Sequence, residues 1–265
     1  MTKKNNFKLE TVNGICTITF QRPKTLNSLT FEVYRELEVL TGELQEMDDV
    51  KVVVITGEGK GFCSGGDVHT IIGELFKRDM KGVLEFTRMT GNVVKNLRLL
   101  DKPVISSING ICAGAGAVIA LASDFRIFST ESKIAFLFQK VGLTGADMGA
   151  AYLLPKVIGF GRATEVLMLG DSIYPEKAKE IGLAYKVVSP EKLQEETQAL
   201  AERLNNSATL ALSMTKRMLN NEYGMDLVSA IEQEAQAQAL LLMGKDHKEF
   251  YNSFVEKRKP KFKGN

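Results

Sequence analysis

The stretch ICAGAGAVIALASD, residues Ile111–Asp124, decides how this chain folds, because small residues fill the place where a helix should begin. The preceding PVISSIN (Pro103–Asn109) reads as a buried strand, and AVIALAS is apolar enough for a buried helix. The chain therefore leaves a strand, turns on glycine and alanine, and enters a helix. Backbone N–H groups at a helix start have no acceptor within the helix, so the question is what these groups bind.

Length and composition predict one sizeable domain, alone or with an appendage. The chain has 265 residues, of which 44% are hydrophobic. It contains no apolar run of the roughly eighteen residues that a membrane-spanning helix needs, so no membrane partner is expected. The N-terminal MTKKNNFKLE lacks the apolar core of a secretory signal. Cys16, Cys63 and Cys112 form no CxxC pair and are typical of reduced thiols in a cytoplasmic protein.

The distribution of charge argues against a nucleic-acid partner and leaves the role of the basic C-terminal tail open. The formal net charge is +2. Nucleic acid is not expected, because the basic residues are not interleaved with aromatic residues along one face. The clearest charge cluster is the tail EKRKPKFKGN (Glu256–Asn265). A run of this kind is either a solvated terminus or a local site for phosphate.

Apolar runs of strand length alternate with amphipathic stretches of helical length over residues 1–205. Thr30 is a good N-cap for a helix that reaches about Met47. The alternation predicts an α/β fold of stacked strand–helix units with right-handed crossovers. The predicted strands are Phe7–Thr11, Gly14–Gln21, Lys51–Gly57, Pro103–Asn109 and Phe125–Phe128, and a second long helix is predicted over Met80–Leu100.

After about Asn206 the strand patterns stop. Three helices are predicted instead, over residues 207–221, 226–243 and 246–257. We therefore expect a core over residues 1–205 and a helical region over residues 206–265. The middle helix is too apolar to be covered by solvent on all sides. Either an oligomer interface or packing against the core would explain it.

Several common site types do not fit the sequence. The glycine loop at Gly57–Gly61 lacks the Gly-Lys-Ser/Thr ending of a P-loop, and Gly114–Gly116 lacks the third glycine of a dinucleotide fingerprint. The only histidines are His69 and His247, and neither has metal-ligand spacing or a nucleophile-elbow partner. No metal site is therefore expected.

Two small-residue turns remain, Ser64–Gly66 and Gly114–Gly116, and each leads out of a predicted strand. Each turn offers backbone N–H groups, and two such donors aimed at one oxygen would form an oxyanion hole. The alternative is that the glycines only allow neighbouring elements to pack closely.

Four motifs carry a resemblance that covers essentially the whole chain. In order, they resemble the signatures of the enoyl-CoA hydratase/isomerase, or crotonase, family. The resemblance implies a crotonase-like spiral of strand–helix (ββα) turns, with a C-terminal helical region, here residues 206–265, that forms homotrimers, often paired into homohexamers. It also implies an acyl-CoA substrate and no separate cofactor, since coenzyme A is part of the substrate. The motifs are RPKTLNSL (Arg22–Leu29), GKGFCSGGD (Gly59–Asp67), KPVISSINGICAGAGAVIALASDFRI (Lys102–Ile127) and VEKRKPKF (Val255–Phe262).

The resemblance implies catalytic roles for two backbone groups. The N–H groups of Gly66 and Ala115 would hold the thioester oxygen while it gains negative charge as an enolate. Ser64 and Gly65 belong to the same substrate-binding loop, and Asp67 is expected to cap or pin that loop. The two glutamates that add water in the well-known hydratases align with Val118 and Phe138. Neither side chain can transfer a proton, which puts hydration by the two-acid route in doubt, and both are expected to line the substrate.

A different acid stands in VGLTGADMGAAYLLPKVIG (Val141–Gly159). Asp147 matches the turn where dienoyl-CoA isomerases, ring-opening isomerases and aromatic acyl-CoA dehalogenases of the family carry a catalytic aspartate. The alternative is that Asp147 caps a helix beginning near Met148, which would lower its pKa. Apolar neighbours would raise its pKa if they face the site, the candidates being Phe136, Phe138 and Leu143. The two phenylalanines would suit an apolar acyl pocket or the core.

Binding residues follow from the same resemblance. Lys24 and Leu26 match positions that line the coenzyme A channel. Lys257 matches a tail that reaches the nucleotide phosphates of an adjacent subunit. Three further side chains are weaker candidates for a missing acid or for contact with the acyl group: His69, Glu74 and Glu85.

The sequence thus predicts an acyl-CoA enzyme that isomerises its substrate, or hydrates it by a variant route, with Asp147 as acid/base. One alternative is a hydrolase or dehalogenase in which Asp147 is the nucleophile. Another is a non-catalytic acyl-CoA-binding member of the family or a trimeric scaffold. The acyl chain and the pathway, in fatty acid metabolism or aromatic acid catabolism, stay open.

Overall fold

A computed structural model describes residues 6–265 of the chain. The basic residues Lys3 and Lys4 of the N-terminal stretch lie outside the described residues. Strands and helices alternate up to β9, and only helices follow. The strands are β1 (Phe7–Val12), β2 (Ile15–Phe20), β3 (Val52–Gly57), β4 (Gly61–Cys63), β5 (Val104–Ile108), β6 (Ile111–Ala113), β7 (Phe125–Ser129), β8 (Lys133–Ala135) and β9 (Lys186–Val188). The helices are α1 (Phe31–Glu43), α2 (Gly73–Leu75), α3 (Met80–Leu99), α4 (Ala115–Ala122), α5 (Ala150–Ile158), α6 (Phe160–Leu169), α7 (Pro175–Glu180), α8 (Leu193–Asn205), α9 (Thr209–Asn221), α10 (Leu227–Leu242) and α11 (Lys245–Val255).

Two sheets organise the core. The larger has six strands in the order β1-β2-β3-β5-β7-β9, and all its neighbours are parallel except β1 and β2. The smaller has three parallel strands in the order β4-β6-β8. Three times, a strand of the large sheet is followed by a strand of the small sheet and then by a helical segment. This repeat confirms the predicted α/β spiral of ββα turns.

Helix α1 shows how the apolar pattern creates the core. The Thr30 hydroxyl accepts the N–H of Val33 at 3.4 Å, so the predicted N-cap is confirmed. Leu37 and Leu40 are at most 1% exposed, and the helix packs against α3. The α-helix ends at Glu43, and a 3₁₀ turn carries the chain to the predicted end near Met47.

Helix α4 is the most deeply placed helix, because all eight of its residues are buried. It comes unusually close to β4. A Cβ added to Gly116 would lie only 2.3 Å from the carbonyl oxygen of Cys63. Glycine is therefore required there by the approach of two backbones, as the close-packing reading of these glycines predicted.

A buried ionic cluster attaches the C-terminal helices to the core. The Nζ of Lys216 in α9 lies 2.8 Å from a carboxylate oxygen of Asp124 and 3.0 Å from the carbonyl oxygen of Lys102. Arg98 contacts the same aspartate at 3.2 Å. Asp124 also accepts the N–H of Val104, at the start of β5, at 2.8 Å. This carboxylate therefore joins α3, β5 and α9.

Helix α10 behaves differently from α9, because none of its residues is buried in the single chain. Leu227 and Val228 are 74% and 78% exposed. The alternative that this apolar helix packs against the core is therefore wrong. The division at residue 205 stays a prediction. None of the helices within residues 6–265 combines the length and hydropathy needed to span a bilayer.

Two glycine-to-alanine substitutions should have opposite effects on stability. Gly116→Ala forces a Cβ against the Cys63 carbonyl and should lower the free energy of unfolding by about 1–3 kcal/mol. Gly91→Ala, in α3, meets no atom within 4 Å and should raise it by about 0.5–1 kcal/mol. Urea unfolding of both variants beside the wild type measures this. Equal effects would contradict the close approach of α4 to β4.

Candidate active site

The two glycine turns lie at one edge of the small sheet. Strands β4 and β6 are parallel neighbours, with Gly61 opposite Ile111. Their carboxyl ends therefore point the same way, and each runs directly into one of the turns. The short strands that bring the turns together have only three residues each.

The turns touch each other through backbone atoms. A Cβ added to Gly65 would lie 3.0 Å from the carbonyl oxygen of Ala113 and 3.5 Å from the amide nitrogen of Ala115. Gly65 also has a φ of +95°, and Gly114 has a φ of +52°. Side chains other than hydrogen are thus disfavoured at Gly65 both by space and by backbone conformation.

Each turn offers one N–H group without a protein acceptor. On either side of Gly66, the carbonyl of Gly65 accepts the Leu29 N–H at 2.8 Å, and the Asp67 N–H donates to Leu29 at 2.9 Å. The N–H of Gly66 itself has no acceptor among residues 6–265. Ala115 is the first residue of α4, whose N-cap gives no side-chain hydrogen bond, so its N–H is also without an intrahelical partner. Gly66 is exposed, whereas Ala115 is only 2% exposed.

The RPKTLNSL segment is hydrogen-bonded to the first turn. The Ser64 N–H donates to the carbonyl of Leu26 at 3.0 Å, and the Ser64 hydroxyl donates to Thr25 at 3.2 Å. The Asn27 amide, which is 1% exposed, donates to the carbonyl of Gly61 at 2.7 Å. The structure therefore brings Leu26 next to Ser64. Asn27 was not among the predicted site residues, although two polar residues between Leu26 and Leu29 are a signal for a buried hydrogen-bonding role.

Asp67 holds its own loop, as expected. One carboxylate oxygen accepts the N–H and the hydroxyl of Thr70, both at 3.0 Å, and caps a single π-helical turn over Val68–Ile72. The other oxygen accepts the Ser28 hydroxyl at 3.0 Å. These hydrogen bonds lower the pKa of Asp67, with the Thr70 N–H as the largest cause. Asp67 is thus an ionised loop anchor and a poor proton donor.

Asp147 does not cap a helix. Helix α5 begins at Ala150 with Gly149 at the N-cap position, so the expectation of a helix near Met148 capped by Asp147 is wrong. The carboxylate accepts the N–H of Met148 at 2.8 Å instead. Met148 has a φ of +51°, which breaks the helical path before Ala150. Burial raises the pKa of Asp147, and the Met148 N–H opposes this only in part.

Tyr34 lies beside the first turn and within the electrostatic influence of Asp147. A Cβ added to Gly66 would lie 3.7 Å from the Tyr34 hydroxyl. Burial raises the pKa of this phenol, and electrostatic interaction with Cys63 and Asp147 raises it further. Asp147 is therefore close enough to act electrostatically on a side chain beside Gly66. Tyr34 was not among the predicted site residues, although a phenol next to the apolar stripe of α1 is a signal for a hydroxyl that needs a partner.

The residues aligned with the missing glutamates are placed in the hydrophobic core. Val118 is fully buried, and Phe138 is 8% exposed. Phe136 is also fully buried, whereas Leu143 is 57% exposed and cannot shield Asp147 from water as a buried residue would. Core packing, the alternative for the phenylalanines, is what the structure shows for Phe136.

The remaining predicted residues are exposed. Lys24 and His69 lie on the surface near the two loops described above. Glu74 pairs with Lys77 at 2.6 Å. Lys257 follows α11, in a tail whose later residues hydrogen-bond to the Asp246 carboxylate. Glu85, on α3, approaches Lys81 at 4.0 Å.

The cysteines and metal-ligating side chains do not form a second site. Cys16, Cys63 and Cys112 are all buried. Burial raises the pKa of Cys63 to about 12, so its thiol stays protonated and unreactive. No cluster of three potential metal ligands occurs within residues 6–265.

Comparisons with known proteins identify the family to which this chain is similar. The sequence profile of the family described as Enoyl-CoA hydratase/isomerase matches residues 10–265. The chain is 33% identical over 251 residues to the 1,2-epoxyphenylacetyl-CoA isomerase of Escherichia coli (strain K12), covering 95% of both chains. It is 30% identical over 256 residues to the short-chain-enoyl-CoA hydratase of Clostridium acetobutylicum, covering 96% of both.

Solved structures share the whole fold. A crystal structure from Streptomyces coelicolor A3(2), provisionally described as an enoyl-CoA hydratase, superposes with a TM-score of 0.97 at 46% identity. The match covers 100% of this chain and 96% of that one.

Proposed function

Because the chain belongs to the enoyl-CoA hydratase/isomerase family, we propose that it acts on an acyl-CoA thioester through an enolate held by the N–H groups of Gly66 and Ala115. The observation that carries this proposal is the pair of unpartnered N–H groups on two touching turns. Donors fixed by backbone packing need little reorganisation when charge develops. Each such donor typically contributes about 2.7–4 kcal/mol to lowering the barrier.

Asp147 is the proposed acid/base. Its carboxylate is partly buried, and it acts electrostatically on the phenol beside Gly66. A raised pKa suits a group that both takes and returns a proton. Val118 and Phe138 align with the two glutamates that add water in the well-known hydratases. Neither side chain can transfer a proton, so we do not propose hydration by two glutamates.

Proton relocation is the favoured reaction, with variant hydration next. One carboxylate can remove a proton from one carbon of an enoyl thioester and return it to another. Water addition needs a second group to orient the water. The printed names of relatives do not choose between the two, since the E. coli protein is named an isomerase and the C. acetobutylicum protein a hydratase.

Coenzyme A binding is assigned to the exposed Lys24 and Lys257 and to the half-buried Leu26. Lys24 and Leu26 belong to the segment hydrogen-bonded to Ser64, and lysine suits the nucleotide phosphates. Lys257 is proposed to reach the coenzyme A of an adjacent subunit. No separate cofactor is needed, because coenzyme A arrives with the substrate. The cytoplasmic location stays a prediction.

The proposed assembly is a homotrimer or homohexamer. The support is the apolar surface of α10, which the single chain leaves uncovered. A groove of about 550 Å³ runs between α9 and α10, lined by side chains that include Met214, Met218, Leu219, Ile231 and Leu241. Contiguous apolar surface of this kind marks a protein interface.

Two substitutions of Gly66 test the oxyanion hole. Gly66→Pro removes the N–H and should lower kcat by about 10²–10³-fold, whereas Gly66→Ala keeps it and should stay within about tenfold of the wild type. The alanine is a fair control because its Cβ would meet only Tyr34, at 3.7 Å. Turnover of crotonyl-CoA and 3-enoyl-CoA esters measures both variants. A folded proline variant that keeps the full rate would refute this donor.

Asp147→Asn tests the acid/base. It should lower kcat by about 10²–10⁴-fold, since the amide cannot take up a proton, while the Kd for an acyl-CoA ester stays near the wild-type value. Exchange of the substrate's α- and γ-hydrogens with solvent deuterium should stop as well. Full exchange in the variant would remove Asp147 from the mechanism. A covalent acyl- or aryl-enzyme trapped in the wild type would favour the nucleophile alternative instead.

The stability of Asp147→Asn provides the folding control. Burial raises the pKa of the carboxyl in the folded state above its ordinary value of 3.8. Its ionised form is therefore disfavoured in the folded state at neutral pH, and this penalty disappears as the pH falls below the ordinary value. The variant should be at least as stable as the wild type at pH 7. Any advantage should vanish in urea unfolding below the ordinary carboxyl pKa.

A charge on α10 tests the assembly. Val228→Asp should shift the particle mass, measured by light scattering, from three or six chains toward one. Val12→Asp makes the same change on the exposed edge strand β1, where the valine is 64% exposed, and should leave the mass unchanged. A wild-type monomer, or equal effects of both variants, would contradict an interface on α10.

A further inference from the structure

Tyr34 is a fixed side chain. It belongs to the first turn of α1 and is 3% exposed. Its ring meets that of Phe86 edge-on, with centroids 5.5 Å apart and planes at 89°. Phe86 also packs edge-on against Phe31, at 4.9 Å. The hydroxyl therefore has little freedom to move away from the place beside Gly66.

The Tyr34 hydroxyl is also a donor without a partner. It makes no hydrogen bond to any group within residues 6–265. The ring is buried, whereas the hydroxyl oxygen is not among the fully enclosed polar atoms that lack a partner. It can therefore donate to an acceptor that enters the site. Burial, the largest cause, raises the pKa of the phenol well above its ordinary value and keeps it protonated, and it can therefore donate a hydrogen bond throughout the physiological pH range.

Its position limits which acceptor it can meet. The hydroxyl lies beside Gly66, whose N–H holds the thioester oxygen in the proposed function, and within the electrostatic reach of Asp147. Asp147 acts there on the carbons that follow the thioester. The hydroxyl thus flanks the first carbons of the acyl chain. The thioester oxygen already has two donors, so an oxygen substituent further along the chain is the acceptor left to Tyr34.

The geometry points to Tyr34 as a specificity-determining residue that donates a hydrogen bond to an oxygen on the β-carbon of the acyl group, an inference that rests on the proposed function. Hydration of an enoyl thioester places a hydroxyl on this carbon, so the residue would bind such a product or an acyl group that already carries the oxygen. A glycine at position 66 leaves the hydroxyl open to this space, since no side chain stands between them.

Tyr34→Phe removes the oxygen and keeps the ring on Phe86. Calorimetric titration with butyryl-CoA and with both enantiomers of 3-hydroxybutyryl-CoA gives the ratio of their Kd values. The variant should lower the preference for at least one hydroxy ester by about five- to tenfold, with the Kd for butyryl-CoA unchanged. Tyr185→Phe is the matched control, because its ring also packs edge-on, against Phe125 at 5.3 Å, at the start of β7.

The possible results distinguish a failure of the proposed role of Tyr34 from a failure of the proposed acyl-CoA function. An unchanged ratio in Tyr34→Phe, or an equal loss of affinity for all the esters, would overturn the role of Tyr34 in specificity. The same loss in Tyr185→Phe would do so too. Wild-type protein that binds none of the esters would overturn the proposed function itself, and this inference with it.

Discussion

The close contact between two backbone turns is the constraint on which the rest of the site depends. A Cβ on Gly116 would lie 2.3 Å from the carbonyl oxygen of Cys63, which leaves no room for a side chain, and a Cβ on Gly65 would lie tightly, at 3.0 Å, against the carbonyl oxygen of Ala113. Hydrogen bonding between β4 and β6 sets this approach, because parallel neighbours end at the same edge of the small sheet. The donors of the site are therefore positioned by sheet pairing and helix packing, which are rigid and are formed before any ligand arrives.

Side-chain hydrogen bonds then hold the loops around these turns. Asn27 ties its segment to Gly61, and Asp67 fixes both Ser28 and the turn at Thr70. The side-chain polar atoms of Asn27 and Asp67 are therefore already hydrogen-bonded within the protein. By contrast, Tyr34, Asp147 and the N–H of Gly66 keep polar atoms free or only partly satisfied. The division between satisfied and unsatisfied groups separates the scaffold from the part of the site that can act on a ligand.

Family membership does not by itself decide between isomerisation and hydration. Relatives at 33% and 30% identity carry the names of an isomerase and a hydratase, so a shared scaffold serves more than one reaction. The features that bear on this choice are local. Val118 and Phe138 are buried apolar side chains, Asp147 is a partly buried aspartate, and the phenol of Tyr34 lies beside Gly66.

The sequence by itself determined the α/β alternation, α1 with its Thr30 cap and the strand–turn–helix at Ile111–Asp124, because these depend on local periodicity and capping. It also pointed to both glycine turns. The three-residue strands β4, β6 and β8 were invisible, since they are too short to show a period. The start of α5 was misplaced, because a left-handed Met148 delays the helix. Only the tertiary structure brings Tyr34 within the electrostatic influence of Asp147, since residues 113 positions apart come near each other through packing and not through any local pattern.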